Sequence, residues 1–139
     1  MDIVFLIARI LFALIFLLSA VGHVTQAKGM AQYATAKGAP GGEFGVIASG
    51  VLMGLGGLMV LLGVWGGLGA LLIAAALIPV TFFMHAFWKE SDAQAKQAEQ
   101  ISFNKNLGLI GGALALFLLF AVTGADMGLT ITEPLIALG

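Results

Sequence analysis

The stretch of sequence that decides the fold runs from Phe44 to Trp88 and reads FGVIASGVLMGLGGLMVLLGVWGGLGALLIAAALIPVTFFMHAFW. It contains no Asp, Glu, Lys or Arg, and it is bounded by Glu43 and Lys89. One helix of this length would extend about 68 Å, whereas the hydrocarbon core of a bilayer is roughly 30 Å thick. The chain must therefore turn within the stretch. The run Gly63-Val64-Trp65-Gly66-Gly67 predicts that turn, between two membrane-spanning helices.

Two further apolar segments flank this hairpin. Residues 3–22 are apolar apart from Arg9, and residues 106–125 carry no charge. Asp2 and the lack of a basic residue before Arg9 are atypical of a signal peptide, so we expect residues 3–22 to be a retained span. Each segment is close to the roughly 20 residues that a membrane-spanning helix needs. The sequence predicts an all-α, four-helix membrane bundle in a single domain, 1–139, with spans near 3–22, 44–62, 67–88 and 106–125.

The composition agrees with a membrane protein and excludes several functions. Hydrophobic residues make up 60% of the chain and charged residues 9%, far from the balance of soluble domains. A net charge of −1 with six Lys and Arg residues provides no surface for a polyanion, so nucleic acid is not expected as a partner. The chain has no cysteine, which excludes disulfides, thiol redox chemistry and Cys-ligated metals within it.

Two long loops, 23–43 and 89–105, join the predicted spans on the same side of the membrane. Each is expected to contain a short interfacial helix, from about Val24 to Lys37 in the first loop and from Ser91 to about Ile101 in the third. The two loops contain all five lysines of the chain. The positive-inside rule therefore predicts that these loops are cytoplasmic and that both termini lie on the opposite side.

Arg9 is the charge that lies deepest in a predicted span, roughly 9 Å inside the start of the first helix. An unpaired charge there is unfavourable by up to about 3 kcal/mol. A partner is expected from the same side of the membrane, namely Asp126, Asp2 or Glu133. Arg9 and Asp126 are thus the candidate intramembrane charges. The alternatives are a purely structural ion pair and an Arg9 side chain that extends to the lipid headgroups.

Small residues on the second span predict close helix packing. Gly50, Gly54 and Gly57 recur on one stripe, and Gly56 is adjacent to it. Membrane helices associate through close fit because lipid tails are as apolar as leucine. We expect this stripe to face other helices of the bundle, while a contact with a second copy of the chain, and so a homo-oligomer, stays open.

Polar side chains gather at the loop ends of the predicted spans. Such a cluster would form a cavity for a polar head group, for instance a quinone ring or a lipid phosphate. The competing interpretation is that these are ordinary interfacial residues, which end membrane helices routinely. The candidate ligand-binding residues are His23, Gln26, His85, Trp88 and Asn106.

Cofactors other than a quinone are not favoured by the sequence. His23 and His85 are the minimum that a b-type haem between the first and third spans would need, and nothing else singles out a haem. A metal site is not expected either, since three or four ligands are normally required.

Several short motifs follow one another along nearly the whole chain. They are Arg9-Ile10-Leu11-Phe12 and Phe16-Leu17-Leu18-Ser19-Ala20 in the first span, Gly38-Ala39-Pro40 in the loop, Leu61-Leu62-Gly63, Phe82-Phe83-Met84-His85-Ala86-Phe87-Trp88 and Phe103-Asn104-Lys105-Asn106-Leu107-Gly108-Leu109-Ile110-Gly111-Gly112. The lysine–asparagine pair that leads into a glycine pair is the most specific. In order and spacing, these motifs resemble the DoxX family of small bacterial membrane proteins.

The resemblance implies a four-helix bundle in the bacterial inner membrane. Related proteins are linked to quinone-coupled sulfur oxidation and to membrane complexes that handle oxidative stress, and others in the wider superfamily look like chaperones or cargo receptors. We therefore expect an accessory subunit of a membrane redox system, with membrane lipids and redox or stress-response proteins as partners. The alternative is a non-catalytic assembly protein that recruits a partner through its loops. Transport of small solutes is disfavoured because no inverted repeat is present. No catalytic residue is assigned.

Overall fold

The computed structural model describes residues 1–124 and 128–138, and these residues contain no β-strand. Four of the helical segments are long and apolar enough to cross a membrane, which confirms the predicted all-α fold with four spans. The helices are α1 (Asp2–Thr25), α2 (Ala27–Ala36), α3 (Gly42–Leu62), α4 (Gly66–Met84), a short 3₁₀ helix (Phe87–Lys89) and α5 (Ala93–Thr123).

The helices of the bundle pack in chain order. α1 packs against α3, α3 against α4, and α4 against α5. α2 lies on the first turns of α3, as expected for the interfacial helix of the first loop. Its buried face consists of Ala27, Ala31 and Ala34, which pack against Val46. We call the end of the bundle that carries α2 and the 3₁₀ helix the loop end, and the end that carries the α3–α4 turn the hairpin end.

The third loop differs from its prediction in one respect. The expected polar helix is present, but it continues without a break into the fourth span, so it is the beginning of α5 rather than a separate element. Asp92, not Ser91, caps it, because the Asp92 carboxylate accepts a hydrogen bond of 2.8 Å from the Ala95 N–H. No glycine or proline lies between Ala93 and Leu107 to stop the helix. α5 has 31 residues and a length of about 46 Å, so its polar first turns, 93–105, extend beyond the apolar segment.

The glycines of α3 allow two neighbouring helices to approach closely. On one side, a Cβ added at Gly54 would lie 2.8 Å from the Ala20 Cβ of α1. On the other side, a Cβ added at Gly56 would lie 2.6 Å from the backbone carbonyl oxygen of Gly69 in α4. Real Cβ atoms do not tolerate such distances, so only glycine fits at these positions. The glycine stripe therefore faces the inside of the bundle, as predicted.

The turn between α3 and α4 lies where the glycine run predicts it. Gly63 ends α3 with φ of +65°, a left-handed conformation that glycine adopts without steric strain. Residues 128–138 fold back across this turn, and we call them the C-terminal segment. Thr132 holds it in place, since its N–H donates to the Gly63 carbonyl and its hydroxyl accepts from the Trp65 N–H at 2.8 Å.

Arg9 joins the C-terminal segment to the bundle. Only 2% of Arg9 is exposed, so its side chain does not extend to the lipid headgroups. Its Nη2 donates hydrogen bonds to the carbonyl oxygens of Leu61, at 3.0 Å, and Leu129, at 2.8 Å. The first of these carbonyls belongs to the last turn of α3, where the helix dipole favours a cation.

The partners expected for Arg9 are not those in the structure. Neither Asp2 nor Glu133 forms an ion pair with it, and Asp126 lies outside the described residues. Backbone carbonyls replace the carboxylates because the end of α3 and the C-terminal segment leave acceptors that no backbone N–H satisfies. Sequence spacing alone does not reveal such acceptors.

The close contact between α3 and α4 is tested by Gly56→Ala. We expect a loss of about 1–3 kcal/mol of stability, because the added methyl group would overlap the Gly69 carbonyl. Thermal unfolding in detergent, followed by circular dichroism, measures it. Gly111→Ala in α5 is the matched control, since nothing lies within 4 Å of its Cβ position. Equal melting temperatures for the two variants would contradict the packing described.

The role of Arg9 is tested by Arg9→Met, which removes both hydrogen bonds to backbone carbonyls. A hydrogen bond from a charged group contributes about 1.5–3 kcal/mol, so we expect cleavage of the C-terminal segment by thermolysin to become at least about tenfold faster. Ile101→Met, on an exposed side chain at the opposite end, is the control. An unchanged cleavage rate in Arg9→Met would show that another contact holds the segment.

Candidate functional site

A cavity of about 720 Å³ opens at the loop end of the bundle, and all five α-helices contribute to its walls. Its volume lies in the range of small-molecule binding sites. His23 and Phe16 line it from the same face of α1, seven residues or about 10 Å apart along the helix. The deeper part is apolar, with Phe16, Met53 and Leu77, whereas the polar side chains lie towards the opening. The cavity therefore suits a molecule with a polar head and an apolar tail.

His23 lines this cavity from the last turns of α1. Its Nδ1 lies 2.8 Å from the backbone carbonyl oxygen of Ser19 and 3.4 Å from the Ser19 hydroxyl. On its other side the imidazole packs against Gly50 of α3, where a Cβ would collide with the Cβ of His23. The glycine stripe thus has a second effect, because it leaves room for a histidine between two closely packed helices.

His85 lines the cavity from the end of α4, where it pairs with a residue of α5. Its Nδ1 lies 2.7 Å from Oε2 of Glu99. The other oxygen of this carboxylate, Oε1, accepts hydrogen bonds from Lys37 Nζ at 3.0 Å and from the Tyr33 hydroxyl at 3.3 Å. Lys37 also pairs with Glu90. This network, which we call the Glu99 network, joins α2, the end of α4 and α5 at the opening of the cavity.

The Glu99 network shifts the pKa values of Lys37 and Glu99. Hydrogen bonds to Glu90 and Glu99 raise the pKa of Lys37 above its ordinary value. Burial by itself would raise the pKa of Glu99, but the hydrogen bonds from His85 and Lys37 outweigh burial, and the pKa lies below its ordinary value. Both groups lie outside the apolar segments, Lys37 just after α2 and Glu99 in the polar first turns of α5. Glu99 is therefore held as a carboxylate.

Asn106 is the most deeply buried polar residue of the cavity wall. It is 5% exposed and lines the cavity from α5. Its side chain forms no hydrogen bond with a residue that the structure describes. The atoms of its side-chain amide are not fully enclosed by the protein, so the amide faces the space of the cavity. Asn106 is thus available to a molecule in the cavity.

The structure brings four of the five predicted ligand-binding residues together. His23, His85 and Asn106 lie in the cavity wall, and Gln26 joins them from the junction of α1 and α2. Trp88 does not line the cavity. It is half exposed and packs against the rings of Phe82, Phe87 and Phe103.

Glu99 is a site residue that the sequence reasoning missed. It precedes Asn106 by seven residues, so the two lie on the same face of α5. This spacing is readable in the sequence, but only if the polar helix of the third loop is joined to the fourth span. Ser49 was missed for another reason, since its place in the cavity wall depends on how α3 packs against its neighbours.

The Glu99 network predicts a pH dependence of stability. The pKa of Glu99 is lower in the folded protein than in the unfolded chain, where the pKa of a glutamate is about 4.3. The interactions of Glu99 therefore stabilise the fold above about pH 4.3, and this stabilisation is lost as the pH falls through the pKa of Glu99 in the folded protein. We expect the melting temperature of the wild type to exceed that of Glu99→Gln near neutral pH, and the difference to shrink towards about pH 3.

Glu133→Gln provides the control, because Glu133 is exposed and forms no ion pair with a described residue. Its melting temperature should follow that of the wild type at every pH. A difference between wild type and Glu99→Gln that stays constant down to pH 3 would argue against the network.

Comparison with known proteins now places the chain in a family. The family model named DoxX matches residues 4–86, which include most of α1, the whole of α2 to α4, and His85. The chain is 32% identical over 123 residues to the inner membrane protein YqjF of Escherichia coli (strain K12), covering 88% of this chain and 85% of that protein. No solved structure matches it. With four membrane-spanning helices, this chain belongs to the DoxX family of integral inner-membrane proteins.

Proposed function

We propose that this protein binds the head group of a membrane quinone in the cavity and acts as an accessory subunit of a quinone-linked redox system. The observation that carries the proposal is the cavity itself, which combines apolar depth with polar groups near its opening and contains the unpartnered Asn106. A quinone has the matching form, with a flat polar ring and an apolar isoprenoid tail.

The charge of the cavity wall favours a quinone over a phospholipid. Among the residues that the structure describes, Lys105 is the only Lys, Arg, Asp or Glu in the wall, and it is exposed. A buried phosphate would need several cationic or N–H partners, because an unpaired charge is strongly unfavourable in an apolar setting. A quinone ring is neutral and needs only hydrogen bonds to its carbonyl oxygens, which the amides of Gln26 and Asn106 are placed to donate.

The redox part of the proposal rests on the family and on the Glu99 network. Carboxylate and imidazole groups that meet at the opening of a quinone site offer a path for protons. The chain lacks cysteine, so any thiol chemistry in such a system would come from a partner protein. The lysine distribution supports an orientation in which the loop end is cytoplasmic.

The alternative function is recruitment of a partner through the loops. A point substitution distinguishes it from quinone binding better than a deletion does. Deleting the polar first turns of α5 would remove Glu99 and disturb the cavity as well, so it would not distinguish the two functions. His85→Ala removes a cavity group and leaves the outer surfaces of α2 and α5 in place. An unchanged redox phenotype in His85→Ala, together with loss of function on substitution of those surfaces, would favour recruitment.

Quinone binding is tested with a short-chain ubiquinone and the purified protein in nanodiscs of zwitterionic lipid. We expect saturable binding by the wild type. Binding should be about tenfold weaker in Asn106→Leu, because leucine has a similar size but lacks the amide. Isothermal titration calorimetry measures both. Lys96→Gln, on the exposed face of α5, should bind like the wild type.

Two results would contradict the proposal. Absence of saturable binding by the wild type would show that the cavity is not a quinone site. Weaker quinone binding in nanodiscs that contain phosphatidylglycerol would show that an anionic lipid competes for the cavity, which would favour a lipid head group as its occupant.

A further inference from the structure

Four polar groups of the cavity wall use their hydrogen-bond donors within the protein. His23 Nδ1 faces the Ser19 carbonyl, which only accepts, so Nδ1 carries the proton. His85 Nδ1 faces the Glu99 carboxylate and carries the proton for the same reason. The Ser49 hydroxyl donates to the Val46 carbonyl at 2.9 Å, and the Tyr33 hydroxyl donates to Glu99.

These groups therefore offer a ligand lone pairs, which are hydrogen-bond acceptors. A neutral imidazole that is protonated at Nδ1 accepts hydrogen bonds at Nε2. Neither Nε2 atom has a partner among the described residues. A hydroxyl whose proton is engaged still accepts through its oxygen. His23, His85, Ser49 and Tyr33 thus all present acceptors at the cavity wall.

The donors that remain are fewer. Gln26 and Asn106 have amide groups that both donate and accept, so they satisfy either kind of ligand. Lys105 donates, but it lies exposed on α5. The wall as a whole is therefore richer in acceptors than in donors, and it matches a head group that carries hydrogen-bond donors.

We infer that the cavity binds the reduced, dihydroxy form of a quinone, the quinol, in preference to the oxidised form. The inference rests on the proposed function and adds to it the oxidation state of the ligand. A quinol has two phenolic hydroxyls, which donate to the acceptors of the wall. A quinone has two carbonyl oxygens, which only accept, and would leave Nε2 of His23 and the Ser49 oxygen facing lone pairs.

The test titrates the protein in nanodiscs with one short-chain ubiquinone, once oxidised and once fully reduced, without oxygen and at pH 8. We expect the quinol to bind at least tenfold more tightly. For a two-electron couple, a tenfold preference raises the midpoint potential of the bound couple by about 30 mV, which a potentiometric titration measures independently.

Two variants test the origin of the preference. Ser49→Ala removes one acceptor and no contact between helices, because the Ser49 hydroxyl bonds only within its own helix. His23→Gln replaces a ring acceptor by an amide that also donates. In both variants the ratio between the dissociation constants of the quinone and the quinol should fall severalfold. Lys96→Gln should bind the quinol in preference to the quinone by the same factor as the wild type.

The outcomes separate this inference from the proposed function. Equal binding of both forms, or tighter binding of the quinone, would overturn the inference and leave the quinone site standing. Absence of binding by either form would overturn both. Nitrogen-15 spectra of labelled histidine give a direct check, since a proton on Nε2 rather than Nδ1 of His23 would also overturn the inference.

Discussion

The close approach of α3 to its two neighbours is the constraint on which the rest of the structure depends. In a bilayer, burial of apolar surface between helices gains nothing over contact with lipid, so helices stay together through fit and hydrogen bonds. Gly54 and Gly56 bring the backbones of α1 and α4 so near that no Cβ fits. Gly50 extends the same stripe to the loop end and places His23 beside α3. The stripe that assembles the bundle therefore also sets the position of a cavity residue.

The two ends of the bundle are held by different interactions. At the hairpin end, Arg9 and Thr132 bind backbone groups of the α3–α4 turn and of the C-terminal segment. At the loop end, the Glu99 network connects α2, α4 and α5 through side chains. Both ends thus rely on polar contacts, which are strong where water is scarce. The loop end also leaves space between the helices, and that space is the cavity.

The fold was predictable because it depends on features that are local in the sequence. Hydropathy marks four spans, and the run from Gly63 to Gly67 marks the turn between two of them. The predicted division of the third loop from the fourth span is wrong, because the change in polarity between them is not a helix boundary. A helix continues through such a change unless a residue stops it, and none does here. That one error also hid Glu99, which lies two turns before Asn106.

The cavity residues were predictable only in part, for a related reason. His23, Gln26, His85 and Asn106 lie at helix ends that the topology brings to one side, so their grouping follows from the order of the spans. Trp88 lies on that side too, but the 3₁₀ helix after α4 turns it towards other aromatic rings. The partners of Arg9 are backbone carbonyls, which carry no residue signature. The hydrogen-bond donors that remain for a ligand depend on pairs such as Tyr33 and Glu99, which are 66 positions apart in the chain.

The packed interior below the cavity has a consequence for the movement of molecules. Phe16, Val60 and Ile73 fill the core between the cavity and the hairpin end, and each is at most 2% exposed. This packed core closes the cavity on the side that faces the hairpin end. A molecule bound in the cavity would therefore enter and leave at the loop end of the bundle.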